Sequence, residues 1–117
     1  MNYTYIILDD DMAFVSLLKK QLSHFPNLEF LEAYYTTVQA AKGITKFKPD
    51  ILFLDMEIDA LNGLDVLSVL EYQPKTIVIS STTAPMEEAL ALDVYDYIKK
   101  PVPSLERLGQ AIRKVTG

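Results

Sequence analysis

The sequence predicts an α/β fold built on a parallel β-sheet, and two observations carry this prediction. Short apolar runs alternate with segments in which apolar residues recur at spacings of three and four. The first pattern is typical of buried strands and the second of amphipathic helices, so their alternation indicates repeated βα units. The chain has 117 residues, half of them hydrophobic, which predicts one domain over residues 1–117.

The first two βα units are predicted before residue 50. Tyr5–Leu8 is an apolar run typical of a buried strand, and Leu28–Tyr34 mixes apolar with charged residues, which favours a more exposed second strand. The second helix is expected to end near Lys48, because Pro49 disfavours helical geometry in the residue before it. The predicted apolar positions are Phe14, Leu17, Leu18, Leu22 and Phe25 in the first helix, and Val38, Ala41, Ile44 and Phe47 in the second.

Three further units complete the chain. The third, fourth and fifth strands are predicted over Ile51–Leu54, Thr76–Ile79 and Asp96–Lys99. A loop containing Asn62-Gly63 leads into the third helix, the fourth helix is predicted over residues 86–92, and the fifth begins after Ser104, a favourable N-cap. The apolar positions are Leu64, Leu67 and Leu70 in the third helix, and Leu105, Leu108, Ile112 and Val115 in the fifth.

Parallel strands joined by right-handed crossovers allow few topologies. We predict the flavodoxin-like (βα)5 arrangement, a doubly wound five-stranded sheet of order 2-1-3-4-5 with helices on both faces. In such sheets the ligand site lies beyond the carboxyl ends of the strands, where strands 1 and 3 meet and the strand order reverses. The functional residues are therefore expected directly after these strands.

Polar residues follow four of the predicted strands. Asp9-Asp10-Asp11 follows the first strand, Asp55 the third, Ser80 the fourth and Lys100 the fifth. Capping of the first helix explains one aspartate, Asp11. It does not explain the whole cluster, because two carboxylates about 4 Å apart repel by roughly 4 kcal/mol at an effective dielectric of 20. A cation is required, and a few carboxylates completed by water favour Mg²⁺.

A carboxylate beside a metal ion can accept a phosphoryl group. Asp55 has the position for this role, with Asp10 as metal ligand, Lys100 as a positive charge and Ser80 as a hydrogen-bond donor. Each residue also has an ordinary explanation, since a strand can end at an aspartate, a terminal lysine is normally solvated and a serine before a loop often makes a local turn bond. Because all four residues are expected at one edge of the sheet, we favour the phosphoacceptor site over these ordinary explanations.

Composition excludes several other classes of function. The net charge of -5 disfavours direct binding to nucleic acid. The absence of cysteine excludes a disulfide framework, a thiolate metal site and a cysteine nucleophile. The sequence contains neither an apolar segment long enough to cross a membrane nor a secretory signal, so we expect no membrane association and a cytoplasmic location.

Four motifs together resemble the bacterial response-regulator receiver domain, and the resemblance covers the whole chain. They occur in the family's order, at its spacings and at the expected strand ends. The combination of Phe53-Leu54-Asp55 with Asp96-Tyr97 is similar to receivers attached to LytTR-type domains. The motifs are Ile6-Ile7-Leu8-Asp9-Asp10-Asp11, Pro49-Asp50-Ile51-Leu52-Phe53-Leu54-Asp55-Met56, Asn62-Gly63-Leu64 and Asp96-Tyr97-Ile98-Lys99-Lys100-Pro101.

The resemblance implies a role for each matching residue. Asp55 would be both phosphoacceptor and Mg²⁺ ligand, beside Asp10 as a direct ligand, Asp9 acting through water and the backbone carbonyl of Glu57. Lys100 would pair with the phosphoryl group, and its bond to Pro101 would be cis. Ser80 would be the switch hydroxyl, within a run to Thr83 that leaves the register open, and Tyr97 the aromatic residue that follows it. Tyr95 and Lys99 would join Tyr97 on the output face.

Several positions depart from the family pattern. Receivers usually carry proline where this chain has Asp59, which makes the loop more acidic. Glu57 could orient or obstruct an attacking water and so set the lifetime of the phosphorylated state. Ser81 and Thr82 replace the more usual residues after the switch position.

The implied partner is a sensor histidine kinase, which would transfer a phosphoryl group from its phosphohistidine. The implied response repacks the face of the fourth helix, fifth strand and fifth helix, to act on an output domain, an effector protein or a phosphorylation-dependent homodimer.

Two alternative functions remain. A haloacid dehalogenase-type hydrolase would carry its nucleophile in an Asp-x-Asp motif on the first strand, which Asp9 and Asp11 match only in spelling. A pseudo-receiver would be an interaction module that phosphorylation does not regulate.

Overall fold

The structure is a computed structural model that describes residues 2–58, 61–81 and 94–117. The strands in these ranges are β1 (Tyr3–Leu8), β2 (Leu28–Tyr34), β3 (Ile51–Leu54), β4 (Glu57–Ile58), β5 (Leu61–Asn62), β6 (Lys75–Ser80) and β7 (Asp96–Lys99). The helices in the same ranges are α1 (Met12–Leu22), α2 (Thr37–Phe47), α3 (Leu64–Ser68) and α4 (Leu105–Thr116). The fourth helix predicted over residues 86–92 and the predictions for Asp59 and Thr82 lie outside the described residues.

Five parallel strands form the sheet, in the order β2-β1-β3-β6-β7. β6 and β7 are the predicted fourth and fifth strands, so the predicted flavodoxin-like order is confirmed. The numbering differs because β4 and β5 form a separate antiparallel hairpin where the sequence predicted only a loop. Two residues per strand are too few to produce an alternating pattern, which is why the sequence gives no signal for this hairpin.

Alternate residues of the strands face opposite sides of the sheet and bury two separate cores. Tyr5, Ile7 and Phe53 belong to the core that packs against α1 and α4. Ile6 and Leu52 belong to the core that packs against α2 and α3. Both faces of the sheet are therefore covered by helices, which explains why the central strands read as continuous apolar runs.

Four apolar residues predicted on buried helix faces are instead exposed. Their exposed fractions are 48% for Leu17, 65% for Val38, 46% for Phe47 and 41% for Leu105. In α2 the buried face consists of Ala40, Gly43 and Ile44, because the ring of Tyr34 packs directly over Gly43. Of these three residues only Ile44 is large, so a prediction based on large apolar residues also assigned Val38 and Phe47 to the buried face.

The strand and helix boundaries follow the predictions closely. β1 begins at Tyr3 rather than Tyr5, because Tyr3 pairs with Leu28 of β2. Asp11 and Ser104 are the N-caps of α1 and α4, and each side chain accepts a hydrogen bond from a backbone N–H in the first turn. No helix within the described ranges has both the length and the apolar character that a membrane crossing requires.

An ion pair ties the start of β7 to α4. Both guanidinium nitrogens of Arg107 donate to the Asp96 carboxylate, at 2.7 and 2.9 Å, and one also donates to the Tyr97 carbonyl at 3.1 Å. Lys114 approaches the same carboxylate at 3.2 Å. Burial alone would raise the pKa of Asp96, but the hydrogen bonds from Arg107, Tyr97 and Lys114 outweigh it and lower the pKa below 3.8.

We expect Asp96→Asn to lower the free energy of unfolding at pH 7 by about 1–3 kcal/mol, because it leaves the Arg107 guanidinium partly buried without a carboxylate. The lowered folded-state pKa means that this stabilisation is present above pH 3.8 and is lost as the pH falls through the folded-state value. Urea unfolding of the wild-type protein and of Asp96→Asn, from pH 7 down to acid pH, measures this difference in stability. Lys114→Ala, at a lysine 53% exposed, should cost at most about 0.5 kcal/mol. If the loss of stability in Asp96→Asn did not become smaller as the pH falls, the stabilising role of the Asp96–Arg107 ion pair would be contradicted.

Candidate functional site

Four predicted site residues converge at the carboxyl edge of the sheet. Asp9, Asp55 and Lys100 each directly follow a strand, and Ser80 is the last residue of β6. Backbone hydrogen bonds continue the ladder past the strand ends: the Asp55 N–H donates to the Leu8 carbonyl at 3.0 Å, and the Lys100 N–H donates to the Ser80 carbonyl at 2.9 Å. The sheet itself therefore fixes where these side chains begin.

Asp9, Asp10 and Asp55 form an acidic cluster. Each offers a carboxylate oxygen, and the three oxygens lie within 4.8 Å of one another. Asp9 and Asp55 are buried, at 2% and 6% exposed, whereas Asp10 is exposed. The cluster thus combines two desolvated carboxylates with one that faces solvent.

The ammonium of Lys100 compensates only part of this negative charge. Its Nζ lies 2.8 Å from Asp9 Oδ2 and 3.4 Å from Asp55 Oδ2. Burial alone would lower the pKa of Lys100, but the hydrogen bond and charge of Asp9, together with Asp55, raise it above its ordinary value. A positive lysine leaves the three carboxylates with a net excess of negative charge.

Burial, more than any neighbouring charge, raises the pKa of Asp9, and the opposing hydrogen bonds from Lys100 and from the Asp11 N–H do not fully offset it. A cation at the cluster would favour the ionised carboxylate. Three oxygen donors, two of them buried and one open to solvent, fit a hard divalent ion that keeps part of its water shell, as Mg²⁺ does.

The Asp55 carboxylate is held on both oxygens. Its Oδ1 accepts hydrogen bonds from Ser80 Oγ at 2.8 Å and from the Glu57 N–H at 3.2 Å. Its Oδ2 faces the Lys100 ammonium. Ser80 is fully buried, whereas Ser81 is exposed. Thr82 and Thr83 lie outside the described residues.

Glu57 and Tyr97 lie at the margin of the site. The Glu57 side chain is exposed, and its residue pairs with Asn62 in the β4–β5 hairpin. Tyr97 is partly buried against the core on the α2 and α3 side. The pKa of its phenol is raised by burial and then by the negative charges of Asp55 and Glu57. Tyr95 and Lys99 are exposed, and Lys100–Pro101 is cis, as the resemblance implies.

Two residues of the site escaped the sequence reasoning. Phe14 was assigned only to the core, yet its ring centroid lies 4.2 Å from Lys100 Nζ. The sequence places Gly63 in a loop and in a family motif but gives it no role at the site, yet it packs so closely that a Cβ there would fall on the backbone carbonyl oxygen of Asp55. Neither contact has a local signal in the sequence, because each joins residues from separate segments.

Comparison with known proteins agrees with this geometry. A family model described as response regulator receiver domain matches residues 5–113. A protein named an uncharacterized response regulatory protein in Shewanella oneidensis is 25% identical over 114 residues, which is 96% of this chain and 48% of that protein. A protein-glutamate methylesterase/protein-glutamine glutaminase of Pyrococcus abyssi is 33% identical over 107 residues, covering 86% of this chain and 29% of the enzyme.

Solved structures give the same result. A DNA-binding response regulator of the LuxR family from Staphylococcus aureus is 28% identical with a TM-score of 0.79, and the match covers 98% of this chain and 99% of that one. The chain spans about half, or less, of the length of the curated relatives it matches. The family match therefore concerns the portion that the relatives share with this chain.

Proposed function

The chain belongs to the response regulator receiver domain family, and we propose that it is a phosphorylation-controlled switch whose acceptor is Asp55. Residues 1–117 act as one receiver domain in this proposal. The observation that carries it is the Asp55 carboxylate, buried between Ser80 Oγ and Lys100 Nζ and clustered with Asp9 and Asp10. A buried carboxylate beside a hydroxyl donor, an ammonium and two further carboxylates has the surroundings that phosphoryl transfer requires.

The reaction transfers a phosphoryl group from a phosphohistidine of a sensor kinase. A bond forms between an Asp55 carboxylate oxygen and phosphorus, the phosphorus–nitrogen bond breaks, and the kinase imidazole leaves. The domain contributes mainly position and charge, because little other covalent chemistry is needed. Lys100, already 3.4 Å from Asp55 Oδ2, would pair with a phosphoryl oxygen, and the acceptor stays in place through its bonds to Ser80 and the Glu57 N–H.

Mg²⁺ completes the site in this proposal. Asp10 and Asp55 would bind it directly, with the Glu57 backbone carbonyl, and Asp9 through water. When bound, it would offset the charge of the incoming phosphoryl group and of the carboxylates. Support comes from the oxygen-only donor set and from the excess negative charge that Lys100 leaves uncompensated.

The switch would act through Ser80 and Tyr97. Ser80 Oγ, which donates to Asp55 Oδ1 in the present structure, would donate to the phosphoryl group instead, and Tyr97 would follow it inward. Those movements would repack the surface of β7 and α4 near Tyr95 and Lys99, together with the predicted fourth helix, which lies outside the described residues. Phosphorylation shifts the equilibrium between the inactive and active conformations only as far as the phosphoryl group binds the active one more strongly. A few kcal/mol must therefore come from the new bonds to the phosphoryl group.

The partners follow from the family. Receiver domains act between histidine kinases and output domains, and this one would act in the cytoplasm on an attached output domain, a separate effector or a second copy of itself. A LytTR-type output is one candidate. The net charge of -5 argues that this domain does not itself bind nucleic acid.

Intact-mass spectrometry tests the proposal. Incubated with acetyl phosphate or phosphoramidate and Mg²⁺, the protein should gain one phosphoryl group, and omission of Mg²⁺ or addition of EDTA should prevent this. The gain should be stoichiometric and slowly lost. Continuous turnover of a phosphomonoester would instead indicate a hydrolase, and no gain with any donor, including a phosphorylated kinase, would indicate a pseudo-receiver.

Mg²⁺ should raise the melting temperature of the wild-type protein, because a ligand that binds only the folded state stabilises it. At a Mg²⁺ concentration one hundred times its Kd, the free energy of unfolding rises by about 2.7 kcal/mol. Asp10→Asn should abolish the gain and leave the Mg²⁺-free melting temperature equal or higher, since it removes one of three clustered like charges. Asp65→Asn, at an exposed aspartate in the first turn of α3, is the matched control and should keep the full response. An undiminished response in Asp10→Asn would refute the proposed metal site.

Glu57→Ala should change the half-life of the phosphorylated state by roughly three- to tenfold, because its exposed carboxylate lies two residues past the acceptor and would orient or obstruct the attacking water. Loss of the phosphoryl group after removal of the donor, followed by mass spectrometry, measures this. Glu71→Ala, at another exposed glutamate, should leave the half-life unchanged. Indistinguishable half-lives in wild type and Glu57→Ala would rule out the role.

A further inference from the structure

The ammonium of Lys100 lies in a three-sided setting. Two sides are the carboxylates of Asp9 and Asp55, at 2.8 and 3.4 Å from Nζ. The third side is the ring of Phe14, whose centroid lies 4.2 Å from the same nitrogen. The side chain of Lys100 is only 14% exposed. The ring thus occupies space from which water would otherwise solvate the cation.

The position of Phe14 is itself fixed by the acidic segment. Asp9 Oδ1 accepts a hydrogen bond from the Asp11 N–H at 2.9 Å, and Asp11 Oδ1 accepts one from the Phe14 N–H at 3.1 Å. Phe14 is 8% exposed and packs in the same core as Val15 and Leu18. The two hydrogen bonds fix the backbone up to Phe14, and packing in the core holds its ring, before any phosphoryl group arrives.

We propose that Phe14 is a positioning residue for phosphoryl transfer, whose ring face holds the Lys100 ammonium beside Asp55. The proposal rests on the proposed function, in which Lys100 pairs with the incoming phosphoryl group. A lysine stem has many rotamers, so an ammonium fixed in advance loses less freedom at the moment of reaction. The negative face of an aromatic ring attracts a cation most strongly where water is excluded.

Packing alone is the competing explanation, because Phe14 is also a core residue. Fluorinated phenylalanines separate the two, since they nearly preserve the shape of the ring while progressively weakening its attraction for a cation. With mono-, di- and trifluorophenylalanine at position 14, the rate constant for phosphoryl uptake should fall in graded steps, to roughly one fifth or less with the trifluoro ring. A role in packing alone would not produce a gradient.

Phe30 supplies the matched control. Its ring centroid lies 4.1 Å from Lys19 Nζ, nearly the distance found at Phe14. Neither Phe30 nor Lys19 contributes to the acidic cluster. The same fluorinated series at position 30 should therefore leave the uptake rate unchanged. Equal slopes at the two positions would overturn the proposal, because the effect would then be general destabilisation.

A measurement without any phosphoryl donor tests the contact itself. Ring currents shift protons above an aromatic face upfield, so the ε-methylene protons of Lys100 should resonate upfield of those of the other lysines and return to the ordinary range in Phe14→Met. An unshifted Lys100 in the wild-type protein would overturn the proposal. So would a flat fluorination series at position 14 in a protein whose wild type is phosphorylated, whereas failure of the wild type to take up phosphoryl groups would refute the proposed function and, with it, this role.

Discussion

Asp55→Asn is expected to take up no detectable phosphoryl group from any donor, a loss of at least about a thousandfold in rate. The amide lacks the negative charge of the carboxylate and replaces one of its two oxygens with NH₂, so it is a far weaker nucleophile. The fold should persist, because the amide oxygen of asparagine can still accept the hydrogen bonds that Asp55 Oδ1 receives from Ser80 and the Glu57 N–H. Intact-mass spectrometry with Mg²⁺ and acetyl phosphate measures the loss.

Asp50→Asn is the matched control for this prediction, since Asp50 lies directly before β3 and Asp55 directly after it. Asp50 Oδ2 accepts hydrogen bonds from the Thr4 N–H at 2.8 Å and from Thr4 Oγ1 at 3.2 Å. Its loss should therefore affect stability and leave uptake at the wild-type rate. Uptake by Asp55→Asn at a rate near that of Asp50→Asn would mean that the acceptor lies elsewhere.

Gly63→Ala is expected to lower the free energy of unfolding by about 3 kcal/mol, at the upper end of the range for overpacking. The added Cβ would fall on the backbone carbonyl oxygen of Asp55 and approach Leu54 Cδ1 at 3.2 Å. The backbone of Asp55 cannot move freely, because its N–H is bonded to the Leu8 carbonyl. Relief by movement of Asp55 would displace the proposed acceptor, and a displacement of about 1 Å can cost roughly a hundredfold in transfer rate. Urea unfolding and uptake kinetics measure the two effects.

Gly109→Ala is the matched control, because it makes the same glycine-to-alanine substitution at a site away from Asp55. Gly109 lies inside α4, and a Cβ there would meet Phe25 Cε1 at 3.4 Å, an ordinary van der Waals contact. Alanine is favoured over glycine in a helix interior by about 1 kcal/mol, so this variant should be as stable as wild type or more so. If Gly63→Ala unfolded at the same urea concentration as Gly109→Ala, the close packing against Asp55 would be contradicted.

Much of the fold could be predicted because the central strands are buried on both faces. Ile51–Leu54 and Ile77–Ile79 are continuous apolar runs, and a strand covered by helices on both sides needs no polar alternation. The order of the strands followed from crossover handedness rather than from any single residue. The buried faces of the helices were harder to place, since Ala40 and Gly43 are buried while Val38 is exposed. Burial there depends on the fit of Tyr34, which is set by tertiary packing.

The site could be predicted as far as strand ends determine it. Asp9, Asp55, Ser80 and Lys100 were brought together because parallel strands end at one edge. The ring of Phe14 beneath Lys100 could not be foreseen, because helical periodicity says that a residue is buried but not which residues it meets. The proximity of Gly63 to the Asp55 carbonyl depends on how the loop folds back across the β4–β5 hairpin. Contacts between segments of this kind leave no local sequence pattern.

Chemical mapping of the modified residue tests the central claim most directly. Borohydride reduces an aspartyl phosphate to homoserine, and peptide sequencing by mass spectrometry then identifies the position. After incubation with acetyl phosphate and Mg²⁺, homoserine should appear at residue 55 and at no other aspartate. Homoserine at residue 9 or 10, or a phosphoryl group that survives reduction on a hydroxyl or imidazole, would contradict the account.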